Sequence, residues 1–281
     1  MKRLFLLLAF LEAALFALPL DNPTQASFFT SGVFFDPCKV NPCDPFFVWA
    51  DAVRFRVGYY GDFVFDRRME EIRLGDKMGS VNKASLSTNA VELVSNIYNW
   101  MEVFATFGVT NLSYQTHAVD SGLFSRLECS PSFSWSVGGR GTLFQCGYFR
   151  LGGEGQYFRL EPDVNRFFNL GAGQVLYFNS TNHMVYEEWQ IGFALSAQFM
   201  TAARTSLVPY LGLTISQGKL LLKNFQFVYN GVVHMLPDML PRDIWGFAMG
   251  MTCLVRDAMG ITLEGRWNNE TALFVNGQFR Y

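Results

Sequence analysis

The stretch RFRVGYYGDFVFDRR, from Arg54 to Arg68, combines bulky aromatic side chains with arginines and aspartates. Successive side chains of a β-strand point to opposite faces, and the stretch separates by parity into an apolar and a mostly polar set. The apolar set begins one residue earlier and contains Val53, Phe55, Val57, Tyr59, Gly61, Phe63 and Phe65, whereas the other contains Arg54, Arg56, Gly58, Tyr60, Asp62 and Val64. Thirteen residues of such alternation predict a single β-strand, about twice as long as most strands of soluble proteins.

The same alternation recurs along the chain. Further runs begin at Met101, Trp189, Trp245, Ile261 and Thr271, and the last of them ends the sequence at Tyr281. Phe104 is an apolar interruption on the polar face of its run. Residues typical of loops, namely Pro, Asn, Asp and Ser, predict loops around Asp36–Pro45, Asp76–Leu93, Glu161–Asn165 and Leu236–Asp243.

Alternation alone fits both a soluble β-sandwich and a membrane β-barrel. Strand length favours the barrel, because a tilted strand of about ten residues crosses the apolar part of a bilayer. Aromatic residues near the predicted strand ends also fit the two interfaces of a membrane; they are Tyr59, Phe65, Trp189, Phe199, Trp245, Trp267 and Tyr281. The sequence therefore predicts an all-β protein, a transmembrane antiparallel β-barrel of the bacterial outer membrane.

Composition narrows the alternatives. Half of the 281 residues are hydrophobic and only 16% are charged, against about 25% in an ordinary soluble domain. Beyond the first twenty positions there is no apolar run of the length that a membrane-spanning helix requires. The formal net charge of −2 gives no electrostatic basis for binding nucleic acid.

The N-terminus predicts export. Lys2 and Arg3 precede an apolar segment from Leu4 to Phe16, and Ala17 offers a small residue for cleavage. We expect residues 1–17 to be a signal peptide and residues 18–281 to be one barrel domain. Export to an oxidising compartment favours disulfides, and the odd number of cysteines, five, leaves at least one free or paired between chains.

From Asn41 to Arg68 the chain reads NPCDPFFVWADAVRFRVGYYGDFVFDRR, which closely resembles the chlamydial major outer membrane protein family and its PorB-type porins. Similar segments follow in the order of that family: SWSVGGRGTLFQCGYFRLGGEGQY at Ser134–Tyr157, YEEWQIGFALS at Tyr186–Ser196, SLVPYLGL at Ser206–Leu213 and VNGQFRY at Val275–Tyr281. The terminal aromatics Phe279 and Tyr281 also resemble the signal that directs outer-membrane barrel assembly.

The resemblance implies a porin, a passive channel for ions and small solutes in outer-membrane lipid, with sixteen strands, a homo-trimeric assembly and disulfide cross-links to envelope proteins. This chain is shorter than the usual member, so either its surface loops are trimmed or its strands are fewer, within a range of 12 to 16. A rival interpretation is a surface adhesin or a disulfide-linked structural protein with little channel activity.

The cysteines depart from the family pattern. Phe46, Ala50 and Tyr148 stand where the family tends to carry further cysteines, which weakens the predicted cross-linking role. The disulfide candidates are Cys38, Cys43, Cys129 and Cys146. Cys253 lies on the lipid-facing parity of its strand, and we expect it to be an unpaired thiol.

The polar parity predicts which charges line a pore. The predicted pore-lining residues are Arg54, Arg56, Asp62, Glu102, Glu264, Arg266 and Arg280. Four positive and three negative groups predict weak ion selectivity, with Arg54 and Arg56 the foremost candidates. The alternative is that several of these groups form salt bridges inside the lumen and only hold the wall together.

No catalytic or metal-binding constellation is apparent. The three histidines, His117, His183 and His234, lie in polar or loop-like segments without a nucleophile motif. Cys38 and Cys43 are separated by four residues, but the chain has no second closely spaced pair, as a structural zinc site would need. We therefore expect neither an enzyme nor a cofactor or metal.

Overall fold

In a computed structural model of the chain, the residues described are 18–27, 53–71, 82–97, 100–118, 123–169, 174–177, 183–201, 205–222, 226–229, 232–235, 238–241, 244–255, 259–268 and 270–279. The predicted signal peptide therefore lies outside the described residues. In the part of the chain described, no helix has the length and apolar character needed to cross a membrane.

The described residues form one 3-10 helix, Gln25–Ser27, and otherwise β-structure. The strands are β1 (Val53–Glu71), β2 (Asn82–Ile97), β3 (Met101–Ala118), β4 (Leu123–Cys129), β5 (Ser132–Cys146), β6 (Phe149–Leu160), β7 (Val164–Asn169), β8 (Gln174–Tyr177), β9 (Met184–Ala197), β10 (Phe199–Met200), β11 (Thr205–Leu222), β12 (Gln226–Tyr229), β13 (Val232–Met235), β14 (Met239–Pro241), β15 (Trp245–Val255), β16 (Met259–Trp267) and β17 (Glu270–Phe279).

Ten of these strands form a closed antiparallel ring in the order β1, β2, β3, β5, β6, β9, β11, β15, β16 and β17. The last strand pairs back onto the first, with Phe279 opposite Val57 and Glu270 opposite Arg67. The predicted β-barrel is confirmed. The predicted number of strands, sixteen within a range of 12 to 16, is wrong, because each ring strand already has a neighbour on both sides. Several ring strands use more chain than the ten or so residues that a membrane crossing needs, and the longest, β1, has 19 residues.

β4, β7, β8 and β14 extend the ring at one end, whereas β10 pairs with the start of β11 at the other end, and β12 and β13 form a separate two-stranded sheet. β3 pairs with β5 through Met101–Thr110 and then with β4 through Ser113–Ala118, and β7 and β8 continue outward from β4. β14 reaches across the barrel mouth, since Met239 pairs with Glu71 of β1 and with Leu220 of β11. Asp238 accepts a 2.8 Å hydrogen bond from the backbone N–H of Leu222 and thereby holds β14 at this mouth.

The two ends of the barrel differ in their connections. At one end, which we call the turn end, residues 98–100, 147–148 and 256–258 are connections of two or three residues. At the other, the loop end, longer segments such as 161–183 and 223–244 join the ring strands. Three of the four turn-end connections are this short, whereas at the loop end only residues 268–269, between β16 and β17, form so short a connection between the described ring strands. Outer-membrane barrels in general have short turns at one end and longer loops at the other.

The faces follow the predicted parity. On β1, Phe55 and Val57 are exposed on the outer wall, whereas Arg56 and Tyr60 are buried inside. Phe104, the apolar interruption in the sequence pattern, is also buried inside. An outer surface of exposed aliphatic and aromatic side chains around a charged interior is the arrangement of a membrane barrel, with lipid outside.

One predicted loop is largely strand. Residues 82–93 of the loop predicted over Asp76–Leu93 belong to β2. Ser85 and Ser87 gave this segment its loop-like composition, but they lie on the outer face of β2 near the loop end. Polar side chains are accepted there because that end of the strand lies toward the edge of the hydrocarbon core of the membrane. The predicted loops at Glu161–Asn165 and Leu236–Asp243 contain the start of β7 and all of β14, and Asp36–Pro45 lies outside the described residues.

Candidate functional site

The barrel interior is the candidate site, and near the turn end it is organised around Arg140 of β5. The guanidinium Nε lies 2.8 Å from Glu102 Oε2, Nη2 lies 3.3 Å from Glu92 Oε1, and Nη1 lies 2.5 Å from Asp21 Oδ2. Its carbon Cζ stands 4.9 Å from the centre of the Phe104 ring, which gives the inward phenylalanine a cation–π role. One arginine thus holds three carboxylates in a network we call the turn-end network.

Two further groups complete this network. Arg56 of β1 forms an ion pair with Glu102, on the side of that carboxylate away from Arg140. Asn276 and Gln278 of β17 donate hydrogen bonds of 2.7 and 3.0 Å to Glu92 Oε2. The network therefore joins five neighbouring strands of the ring, β17, β1, β2, β3 and β5, through the lumen.

A second network lies nearer the loop end and is centred on Arg266 of β16. Its Nη2 is 2.6 Å from Asp62 Oδ1 and its Nε is 2.5 Å from Glu270 Oε1. Glu270 also pairs with Arg67, whose Nη1 lies 2.8 Å from Glu188 Oε2. We call this the loop-end network.

Beyond the loop-end network the interior is apolar. Large side chains from many ring strands pack together there, among them Met69, Tyr114, Phe158, Leu160, Met184 and Leu222. The charged groups below them are between 0 and 6% exposed. Barrels of about eight strands have interiors that side chains can fill, whereas sixteen to eighteen strands leave an aqueous channel. In the described conformation this ten-stranded barrel has a packed interior.

Residues 18–27 also lie inside the barrel. They run from Leu18, which packs in the apolar cluster near the loop end, to Ala26, whose carbonyl accepts a 3.1 Å hydrogen bond from Asn96 near the turn end. Leu18, Leu20, Asp21 and Ala26 are each at most 3% exposed. We call residues 18–27 the lumenal segment.

Five of the seven predicted pore-lining residues are inside the lumen and are buried: Arg56, Asp62, Glu102, Glu264 and Arg266. Arg54 lies on β1 opposite Asn96, but its side chain is not described. Arg280 and Tyr281 fall outside the described residues, and Phe279, the other predicted assembly residue, is exposed at the end of β17. The alternative of salt bridges inside the lumen applies to all five buried residues, since each takes part in an ion pair.

Sequence reasoning missed six charged wall residues: Arg67, Glu92, Arg140, Glu154, Glu188 and Glu270. Arg67 is an odd-numbered residue, and odd-numbered side chains earlier in β1 face lipid. The register against β17, however, shifts between Val64 and Asp66. This β-bulge turns Arg67 inward. Glu92 stood in the predicted loop Asp76–Leu93, and Glu270 lies just before the last predicted run, which begins at Thr271. Parity continued across Ser134–Tyr157 would have found Arg140 and Glu154.

The missed residues change the charge of the lumen. Among the described residues, the buried charges are Arg56, Arg67, Arg140 and Arg266 against Asp21, Asp62, Glu92, Glu102, Glu154, Glu188, Glu264 and Glu270. Eight acidic groups thus face four arginines among the described residues, a count that leaves out Arg54 and Arg280, whose side chains are not described. Without Asp21 of the lumenal segment, the described wall has seven buried acidic groups against four arginines and is acidic by formal charge.

The described cysteines are Cys129, Cys146 and Cys253, and all three are free thiols. Cys129 is half-buried, with its Sγ 3.7 Å from Met184 Sδ, whereas Cys146 is exposed beside a turn of the turn end. Cys38 and Cys43 lie outside the described residues, so the predicted disulfides and envelope cross-links remain predictions.

The histidines form no described catalytic arrangement. His183 Nδ1 lies 2.6 Å from Asp163 Oδ1 on the surface, and the side chains of His117 and His234 are not described. Within the described ranges, no group of three His, Cys, Asp or Glu side chains is placed to hold a metal ion.

A closed antiparallel ring with an apolar outer face and a charged interior defines a transmembrane β-barrel of the bacterial outer membrane. The family model of the Chlamydia major outer membrane protein matches residues 1–84 and 124–180, half of the chain. The chain belongs to this family, which places it in the outer membrane.

Two porins of Chlamydia species are similar to the chain over most of its length. The major outer membrane porin of Chlamydia pneumoniae is 28% identical, with 94% of each chain covered, and the serovar L3 porin of Chlamydia trachomatis is 26% identical, with 96% of each covered. The outer membrane protease OmpT of Escherichia coli is 10% identical at a TM-score of 0.44, covering 82% of this chain and 97% of its own. The transport unit of the Escherichia coli autotransporter AIDA-I has a TM-score of 0.39 at 10% identity, covering 92% and 98%.

Proposed function

We propose that this protein is an outer-membrane porin, a water-filled channel for passive diffusion of ions and small solutes. The observation that carries the proposal is the family itself, since similar proteins of two Chlamydia species are named major outer membrane porins. The closed ring supports it, because its interior carries charged and amide side chains from nearly every strand rather than a continuous apolar core. No catalytic role is part of the proposal.

We further propose that the channel prefers cations. The excess of carboxylates over arginines in the lumen creates a negative potential that attracts cations and repels anions. Outer-membrane lipid surrounds the barrel in this proposal, and association into a homo-trimer follows the family resemblance.

The test is a planar-bilayer recording on the full mature chain, refolded in detergent. We expect discrete conductance steps that heat-denatured protein of the same preparation does not give. A barrel that is folded by its gel mobility but gives neither conductance nor swelling of solute-loaded liposomes would overturn the porin function.

One observation favours a second candidate, a structural wall protein with little channel activity. The two networks and the apolar cluster fill the described interior, as expected if the charges serve to hold the wall together. Non-reducing gels of intact outer membranes separate the candidates. Oligomers that disappear on adding a thiol reductant support the structural role, whereas a trimer that resists reductant and dissociates on heating supports the porin.

A further inference from the structure

We infer that the lumenal segment, residues 18–27, is a plug that keeps the channel closed in the described conformation and opens it by leaving the lumen. The inference rests on the proposed porin function and extends it to a gating element. The segment begins directly after the predicted signal-peptide cleavage site and is followed by residues 28–52 before β1 starts.

The wall binds the main chain of the segment. Glu264 of β16 accepts hydrogen bonds from the backbone N–H groups of Leu20 and Asp21, at 3.0 Å to Oε1 and 3.1 Å to Oε2. The Tyr210 hydroxyl donates to the same carboxylate at 2.7 Å and fixes its position. A carboxylate that accepts from two consecutive amides binds the main chain of the segment directly, at a turn where Asp21 and Asn22 have positive φ angles of 38° and 40°.

Small residues in the wall make room for Leu20. A Cβ atom built on Gly192 would lie 2.3 Å from Leu20 Cδ1, and one on Gly212 would lie 2.1 Å from Leu20 Cδ2. Ala194 and Ala248 complete the pocket. Because any larger side chain at either glycine would displace Leu20, the pocket is shaped for this one side chain.

Polar side chains along the segment each meet a partner on a different strand. Asn22 donates to Thr252 Oγ1 at 3.0 Å, the Thr24 and Ser196 hydroxyls are 2.8 Å apart, and Asp21 accepts from Asn276 at 2.9 Å. These contacts spread over β9, β15 and β17, and Arg140 adds the ion pair with Asp21 from β5. The segment therefore occupies the centre of the lumen, where solutes would pass.

The wall beside the plug retains unused hydrogen-bonding capacity. In the described residues, buried side-chain atoms of Gln190, Thr214 and Ser216 have no hydrogen-bond partner. The two carboxylate oxygens of Glu154 have none either. All four lie on adjacent strands facing the lumen. Buried polar groups without partners cost free energy, and water that enters after the plug leaves would satisfy them. Such a wall suits a wet channel with a removable occupant better than a permanent core.

A disulfide lock tests the plug. Thr24→Cys with Ser196→Cys places thiols where hydroxyls are now 2.8 Å apart, so oxidation should join the segment to β9 in the folded barrel. In planar bilayers we expect the oxidised variant to be silent and reductant to restore current. Ser196→Cys alone, treated identically, is the control for the native cysteines.

A loosened variant, in which the contacts of the plug with the wall are weakened, tests the opposite effect. Leu20→Ser with Asp21→Asn removes the side chain in the glycine pocket and the charge that pairs with Arg140, and we expect longer openings than in the wild type. Ser27→Ala is the matched control, because the Ser27 hydroxyl bonds only within the segment, to the Thr24 carbonyl at 2.8 Å.

The outcomes separate the plug from the porin function. Current that is the same in the oxidised, reduced and loosened proteins would overturn the plug and leave the porin standing. Failure of the cysteine pair to cross-link in the folded barrel would also overturn the plug. Silence of every variant, loosened ones included, would overturn both proposals together.

Discussion

Arg140 concentrates electrostatic stabilisation at one residue. It is 2% exposed and contacts carboxylates of Asp21, Glu92 and Glu102. Arg140→Met leaves these carboxylates without their common partner, and breaking a buried ion pair costs about 3–5 kcal/mol. We expect the denaturant midpoint of the refolded barrel, followed by tryptophan fluorescence, to fall accordingly.

The control for this change is Arg159→Met. Arg159 also pairs with two carboxylates, Glu161 and Glu187, but its side chain is one-third exposed, and exposed pairs contribute little. Equal midpoints for the two variants would contradict a stabilising role of the turn-end network.

The described cysteines should differ in reactivity. β4 lies outside the closed ring, and burial raises the pKa of the Cys129 thiol to about 12, with the charge of Asp163 acting in the same direction. Only the thiolate reacts rapidly, so Cys129 should remain protonated and slow from pH 7 to 9. Cys146 is exposed, and we expect a water-soluble maleimide to modify it first, as peptide mass spectrometry would measure. Faster modification of Cys129 would contradict the described packing.

Within the strand β1, a β-bulge explains why the odd-numbered Phe55 faces outward whereas the odd-numbered Arg67 faces the lumen. Opposite β17, Val64 pairs with Ala272 and Asp66 pairs with Thr271, so Phe65 is the extra residue. Deleting Phe65 should straighten the strand and leave Arg67 facing the lumen. Folding yield, measured by the heat-modifiable gel shift, should remain close to that of the wild type.

Deletion of Tyr59 is the matched control for this prediction. Tyr59 sits in regular register between Val91 and Gly277, and losing one residue there turns the preceding side chains to the opposite face. Arg56 would then turn away from its buried partner Glu102, and breaking a buried ion pair costs about 3–5 kcal/mol. If both deletions fold equally well, the bulge does not set the orientation of Arg67.

For the whole molecule, the sequence was sufficient for the barrel and for the faces of its regular strands, because side-chain parity is a local property. Arg56 and Glu102 were found in this way. The number of strands in the ring could not be predicted from the sequence, because it depends on which later strand pairs with β1 to close the ring. Arg67 was hidden by the bulge. The lumenal segment was hidden because residues 18–27 have no strand pattern, and only the closed wall shows what they fit.

The net charge of the lumen leads to a prediction for the whole channel. Glu154 is 4% exposed and both of its carboxylate oxygens lack a hydrogen-bond partner among the described residues, so Glu154→Gln removes a negative charge without breaking a described contact. With fewer lumenal carboxylates the attraction of cations weakens. We expect the wild-type reversal potential in a KCl gradient to indicate cation preference and the variant to shift it toward zero. Glu161→Gln, an exposed carboxylate outside the ring strands, should leave it unchanged. An anion-preferring wild type, or equal shifts in both variants, would show that the acidic lumen does not set selectivity.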